Sequence, residues 1–171
     1  MPFLFLYSGA IMRILVFSDT HNSFLQLKRI IDKHSDIDTI IHAGDGTAEI
    51  DDIRLLMPNK IIFNVSGNCD YYSSAKSKIT AEIENKLIFI KHGHAENVKN
   101  SLNEIIAMAN TEKADVLIFG HTHIPYANKQ GRLHILNPGS LTQPRGGRCP
   151  TYGILEIAGE EISCSIIEVK N

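Results

Sequence analysis

At 171 residues, 43% apolar and 21% charged, the chain has the size and composition of one globular domain with a sizeable core, which excludes a disordered or low-complexity protein. A formal charge of −2 with only modest basic clusters gives no electrostatic footprint for a nucleic-acid duplex. Three widely spaced cysteines, Cys69, Cys149 and Cys164, form no Cys-x-x-Cys pair, which excludes a disulfide framework or thiolate zinc finger and points to a reducing compartment.

Residues 1–10 are apolar and carry no Lys or Arg. They lack the basic start of a signal peptide and fall short of the about 20 apolar residues that span a membrane. Residues 1–11 therefore read as an extension ahead of a domain over 12–171. Ile11–Ser18 is a continuous apolar run, the pattern of a strand buried on both faces. Phe24, Leu27, Ile30 and Ile31 recur at helical spacing and predict a helix over Ser23–His34, capped by Asn22 or Ser23. Asp38–Ala43 follows as a strand, Ala48–Met57 as a short helix stopped by Pro58, and Lys60–Ser66 as a third strand. This βαβαβ order implies a parallel sheet.

The second half changes character. Ile79–Ile83 and Leu87–Ile90 flank Glu84-Asn85-Lys86 as a hairpin. Val98–Ala109 places Leu102, Ile105, Ile106 and Ala109 on one helical face, and Asp115–Phe119 is a further strand. Pro125–Asn128 with Leu133–Leu136, and Tyr152–Ile157 with Glu161–Val169, predict two more hairpins. The sum is an α/β domain of mixed sheets, parallel strands first and hairpins later. Two sheets packed face to face with helices outside would account for it.

The chemistry gathers where strands end. Asp19 and His21 follow the first strand, Asp45 the second and Asn68 the third. Ligands bind beyond the carboxyl ends of parallel strands, so topology alone brings these four together. Gly120-His121-Thr122-His123 and Lys91-His92-Gly93-His94 add imidazoles at two further strand ends. Carboxylate, imidazole and one amide oxygen suit Mn²⁺, Fe, Zn²⁺ or Ni²⁺, whereas Ca²⁺ prefers all-oxygen cages. Seven ligands serve two ions if one carboxylate bridges, and Asp45, on the central strand, is the natural bridge. Two metals about 3.5–4 Å apart clamp the attacking and leaving oxygens of an in-line displacement. That chemistry is phosphoester hydrolysis.

The motifs Ser18-Asp19-Thr20-His21-Asn22, Gly44-Asp45, Gly67-Asn68-Cys69-Asp70, His92-Gly93-His94, Gly120-His121-Thr122-His123 and Asn137-Pro138-Gly139-Ser140 are each weak. Six in this order are specific. The chain resembles the calcineurin-type metallophosphoesterase superfamily, and within it the small YfcE-like phosphodiesterases, over residues 12–171. The resemblance implies a four-layered αββα sandwich. It implies one metal on Asp19, His21, Asp45 and His123, and a second on Asp45, Asn68, His92 and His121, with Mn²⁺ first and Ni²⁺, Zn²⁺ or Fe as alternatives. A hydroxide bridging the two would attack phosphorus. It puts Asp45, Asn68, His94 and Cys69 nearest the chemistry, and Arg145, in the loop Asn137–Arg148, in reach of a phosphate oxygen.

There are two departures. Many members carry a His general acid where this chain has Cys69, so Asp70 is left with no His to orient. A neutral thiol is a poor proton donor to an alkoxide, which favours diesters with good leaving groups. Asn22 stands where many members have Gly. The function implied is a cytoplasmic metallophosphodiesterase acting on a small phosphodiester, with neither a nucleic-acid duplex nor a membrane as partner. Family members also form dimers or tetramers. The alternatives are a protein-interaction scaffold of the same fold, as in the retromer's metallophosphatase-like subunit, and a phosphomonoesterase. Residue by residue, the plainer roles are helix capping for Asp19 and Asp45, a turn for Asn68, solvated loop for Arg145 and core packing for His42.

Overall fold

The computed structural model describes residues 11–170, so the expected extension lies, but for Ile11, outside the described residues. Strands β1 (Met12–Phe17), β2 (Thr39–His42) and β3 (Ile61–Asn64) alternate with helices α1 (Phe24–Lys33) and α2 (Thr47–Leu56). Then come β4 (Lys78–Ile83), β5 (Lys86–Lys91), α3 (Asn103–Thr111), β6 (Val116–Ile118), β7 (Tyr126–Gln130), β8 (Leu133–Asn137), β9 (Thr151–Ala158) and β10 (Glu161–Glu168). They form two five-stranded mixed sheets, ordered β10-β9-β1-β2-β3 and β4-β5-β6-β8-β7.

The alternation of side chains along each strand builds the layers. On β1, Ile14 and Val16 face the second sheet, where they meet Ile88, Ile90, Val116, Ile118 and Leu136 in the central core. Leu15 and Phe17 face the other way, onto Leu27, Ile30 and Ile31 of α1 and Ile50 and Ile53 of α2. On the far side, Phe89 and Leu117 pack against Ile105 and Ala109 of α3. The result is four layers, helix–sheet–sheet–helix. Burial on both faces explains why β1, β5 and β6 read as unbroken apolar runs. Each buried Ile, Leu or Phe contributes about 1.5–3 kcal/mol, so the central layer carries much of the stability.

Two features of the topology lie beyond what the sequence pattern reports. The second sheet is parallel at its centre, where β5, β6 and β8 run together, because β6 and β8 arrive by crossovers. The hairpin β9–β10 joins the first sheet, pairing antiparallel to β1 with Met12 opposite Ile157. Periodicity cannot report which sheet a hairpin joins.

The third helix also begins later than predicted, at Asn103 rather than Val98. Asn97 has φ +53°, and its carbonyl accepts the N–H groups of Asn100 and Ser101, closing a turn instead of opening a helix. Val98 is buried against the outer core from within that turn, which is why it mimics a helical position. The N-cap expectation for α1 is half met. Ser23 holds the position but makes no side-chain cap bond, while Asn22 gives its backbone N–H to Glu49 Oε1 at 2.7 Å.

Candidate metal centre

The carboxyl ends of β1, β2 and β3, and of β5 and β6 in the other sheet, open onto one end of the sandwich. There the backbone is strained. Asp19 (φ +53°), His21 (+40°), Asn22 (+66°), Asp45 (+59°), His121 (+66°) and His123 (+58°) all occupy the left-handed region. Each such non-glycine residue costs about 1–3 kcal/mol, and residues of this kind persist only where their surroundings over-determine them. Gly44 is also left-handed, at φ +98°, where a Cβ would lie 2.7 Å from His92 Nδ1. At Gly67 a Cβ would run into the Asp45 carboxylate. These two glycines let three loops close on one point.

The two aspartates are held alike. Asp19 Oδ2 accepts the Ser18 hydroxyl at 2.6 Å and the His121 backbone N–H at 2.9 Å. That leaves Oδ1 facing inward, buried and without a hydrogen-bond partner. Asp45 Oδ1 accepts the Cys69 N–H at 2.7 Å, which turns Oδ2 inward. The imidazoles follow the same plan. His92 Nδ1–H donates to the Ala43 carbonyl at 2.7 Å and His123 Nδ1–H to the Gln143 carbonyl at 2.8 Å. These bonds fix the tautomers, so both Nε2 lone pairs point at the centre.

The inward atoms converge. His123 Nε2 is 3.1 Å and His92 Nε2 3.9 Å from Asp19 Oδ1, and His92 Nε2 is 3.3 Å from Asp45 Oδ2. His21 Nε2 is 3.8 Å from Asp19 Oδ1, 3.9 Å from Asp45 Oδ2 and 3.2 Å from His123 Nε2. Asp19, His21 and His123 form one cluster that could hold a metal ion, and Asp19, Asp45 and His92 another. The buried and unpartnered Asp19 Oδ1 and His92 Nε2 are what a bound cation would satisfy, so the donor set fits divalent transition metals.

The other expected residues take up varied positions. His121 enters neither cluster; its ring packs edge-on to His92, with centroids 5.2 Å apart. His94 is exposed, 5.5 Å from His92 and 6.1 Å from His121 between ring centroids. The Asn68 amide nitrogen donates to Cys69 Sγ at 3.3 Å. Cys69 Sγ in turn lies in a third group, with His21 and Asp45. Arg145 is anchored by its backbone N–H to the His123 carbonyl at 3.1 Å, while its exposed guanidinium makes no hydrogen bond among the described residues.

Neither aspartate is a helix cap. The carboxylate that serves the α2 N-terminus belongs to Asp70, which, with no His to orient, accepts backbone N–H groups instead. Asp70 Oδ2 accepts the N–H groups of Asp45 (2.8 Å) and Gly67 (2.7 Å), and Oδ1 those of Gly46 (3.0 Å) and Thr47 (3.1 Å). One side chain thus ties together the two loops that carry Asp45 and Asn68. A buried chain supports the first loop in a similar way. His42 Nδ1 accepts the Gly44 N–H, so its Nε2–H faces Thr20 Oγ1 at 3.1 Å, and Thr20 donates to Glu49 at 2.9 Å. Nothing in the sequence pattern singled out Glu49, and Thr20 stood in the first motif without a role of its own. Asn137 and Ser140 shape loops, the first through the Gly120 carbonyl (2.9 Å) and the second through the Asp19 carbonyl (2.6 Å).

Burial pushes the Asp45 carboxyl up, but the His92 imidazole and the Cys69 N–H outweigh it and hold it well below the carboxylate range. Asp19 is lowered too, with His123 and His92 opposing burial. Burial alone would lower His92, yet Asp45 and Asp19 raise it. A proton on His92 is one way of balancing the two carboxylates and a divalent cation is another, so the two compete. Burial, then a charged His92 and Lys99, push His121 down to about 4, so its imidazole is neutral at pH 7.

Comparison with known proteins agrees with this geometry. The family profile described as the Calcineurin-like phosphoesterase superfamily domain matches residues 12–160. The chain is 32% identical to the "Probable metallophosphoesterase YsnB" of Bacillus subtilis, over 87% of this chain and 86% of that protein. It is 28% identical to the "Phosphodiesterase YfcE" of Escherichia coli, over 85% and 88% respectively. The crystal structure of a conserved Streptococcus pneumoniae protein described as a predicted phosphoesterase superposes with a TM-score of 0.79 at 29% identity, covering 93% of this chain and 90% of that one. The chain belongs to the calcineurin-like phosphoesterase superfamily.

Two expectations follow from the centre itself. Asp70→Ala should cost about 2–3 kcal/mol in urea unfolding, because four backbone donors lose a charged acceptor. It should also weaken metal binding in a direct titration, and unchanged metal affinity would separate Asp70 from the centre. The second concerns pH. Because the folded state raises the pKa of His92, its contribution is complete below the ordinary value of 6.5 and lost as the pH climbs through the raised value. The depressed aspartates contribute above their ordinary 3.8. His42 and His121, both pushed down to about 4, act in the opposite sense and contribute fully above 6.5, so the His92 effect is read as a difference: metal-stripped wild type should lose its melting-temperature advantage over His92→Gln as the pH climbs toward about 8. Mn²⁺-loaded protein should instead gain stability over the same rise, since the proton no longer competes. Thermal melts of the two forms check this.

Proposed function

We propose that this member of the calcineurin-like phosphoesterase superfamily hydrolyses a small phosphodiester. The observation that carries the proposal is the matched pair of buried carboxylates. Each has one oxygen tied to a neighbouring loop's N–H and the other turned inward among the nitrogens of His21, His92 and His123. Asp19, His21, Asp45 and His123 would hold one divalent transition-metal ion, and Asp45, Asn68, His92 and His121 a second, with Asp45 shared and Mn²⁺ the first choice. When bound, such a pair supplies Lewis acidity to the phosphoryl oxygens and makes a water nucleophilic near neutral pH.

The chain's own residues decide which ester suffers attack. Burial, followed by the charges of Asp45 and Asp70, pushes the Cys69 thiol up to about 11. It stays protonated at pH 7 and is a weak acid for an alkoxide leaving group. Substrates whose leaving group departs unaided are favoured, which supports a diesterase over an alkyl monoesterase. His94, exposed beside His92 and His121, would touch the substrate. Among the described residues no helix is long and apolar enough to cross a membrane. The separate, unpaired cysteines fit a reducing compartment such as the cytoplasm.

Metal-stripped protein should regain hydrolysis of bis-p-nitrophenyl phosphate when Mn²⁺, Ni²⁺ or Zn²⁺ is restored, and should favour it over p-nitrophenyl phosphate. No cleavage of either ester by protein with metal bound would move the weight to a scaffolding role. Cys69→His should raise the monoesterase rate relative to the diesterase rate, by about 10²-fold if general-acid catalysis returns in full. An unchanged ratio would assign the selectivity to the shape of the cleft.

A further inference from the structure

A cleft of about 280 Å³ opens beside the metal centre, near the lower bound for small-molecule sites. Its inner wall is His21, Asp45 and Cys69, so whatever fills it is continuous with the reacting phosphorus. Its floor is the N-terminal turn of α2. Its outer wall is Tyr71 and Tyr72. Tyr71 is 82% exposed and Tyr72 wholly so, and neither ring makes an aromatic contact or hydrogen bond among the described residues. A single exposed aromatic is ordinary. Two in succession, on the lip of a cleft that reaches a metal centre, leave aromatic ring faces open to a flat ligand.

The base of that lip is rigid. Tyr71 follows Asp70, whose carboxylate accepts four backbone N–H groups, and the Ser73 N–H returns to the Asp70 carbonyl at 3.2 Å. The backbone that carries the rings is thus anchored beside the metal centre, while the rings, free of aromatic contacts and hydrogen bonds among the described residues, can turn onto a ligand.

Charge narrows the ligand. No lysine or arginine lines the cleft, whereas Asp45, Glu49, Asp51 and Asp70 do. Glu49 and Asp70 are consumed by backbone and hydroxyl donors, which leaves the exposed Asp51 as the free acceptor at the rim, apart from its contact with Arg54 at 3.1 Å. A second phosphate would be repelled. A flat, uncharged group with N–H or O–H donors would be accepted.

We propose that this cleft is the subsite for the organic half of the diester, that this half carries a nucleobase, and that Tyr71 and Tyr72 select it by stacking. The inference rests on the phosphodiesterase reading of the metal centre. Base–aromatic stacking of the usual strength makes a difference of about tenfold or more in affinity.

The test is calorimetric titration of the Mn²⁺-loaded protein with AMP and with ribose 5-phosphate, which share a phosphate and a ribose and differ in the base. AMP should bind at least about tenfold more tightly. The preference should vanish in the Tyr71→Ala/Tyr72→Ala double variant and survive in Tyr71→Phe/Tyr72→Phe, which keeps both rings. Equal affinity of the two ligands for the wild type, or a preference that persists in the alanine variant, overturns the proposal. Hydrolysis of bis-p-nitrophenyl phosphate by the same samples separates the two readings. Cleavage without an AMP preference sinks the subsite alone. An AMP preference without cleavage of any diester sinks the catalytic reading and leaves a nucleotide-binding cleft.

Discussion

Asp19 and Asp45 present two carboxylate oxygens to one buried point, and the rest of this end of the molecule is organised around that fact. Like charges in a low-dielectric setting repel strongly, and neither aspartate has a lysine or arginine partner. Among the described residues the neighbours able to offset them are imidazoles, which are neutral unless protonated. The arrangement makes sense as a receptacle for positive charge. Every second contact in the site, from the Ser18 hydroxyl to the Ala43 and Gln143 carbonyls, keeps a lone pair aimed inward.

The fold makes such a receptacle affordable. Parallel strands at the centre of both sheets deliver their carboxyl ends to the same edge, so the ligand-bearing loops are short and their anchor points fixed by the core. Within those loops six non-glycine residues accept left-handed backbone, and hydrogen bonds brace it: the Asp45 N–H to Asp70, Asn137 to the Gly120 carbonyl and Ser140 to the Asp19 carbonyl. Packing of the isoleucine-rich central layer supplies the stability against which that strain is set. Rigidity here is a property of the strands below, more than of the loops themselves.

Much of this was legible in the sequence, and the reason is physical. A strand buried on both faces cannot hide its apolar run, so β1, β2 and β6 stood out, and with them the ligand-type residues at their ends. Asp19, His21, Asp45, His92 and His123 were foreseen as neighbours and are found together. What stayed hidden depends on contacts between distant parts of the chain. The acceptor role of Asp70, the chain from His42 through Thr20 to Glu49, and the membership of β9–β10 in the first sheet are all of this kind. Local pattern also misled at Val98, where a turn buries an apolar side chain at a spacing that imitates a helix. His121 lies outside both clusters, its ring edge-on to His92 and its backbone N–H on Asp19, an arrangement no local pattern could report.

The pairing of β1 with β9 has a consequence for how the protein comes into being. During synthesis the first sheet can begin as soon as β1, β2 and β3 have left the ribosome, but β1 keeps one unpaired edge until Ile157 and its neighbours arrive to lie against Met12. Contacts so far apart in the chain slow folding, because the long loop must close before the pairing rewards it. Until then an apolar strand edge stands open to other chains, a recognised route to aggregation. The hairpin β9–β10, made after every other described strand, is thus the one that seals β1, and a nascent chain halted before it would be left exposed on the sheet that carries Asp19.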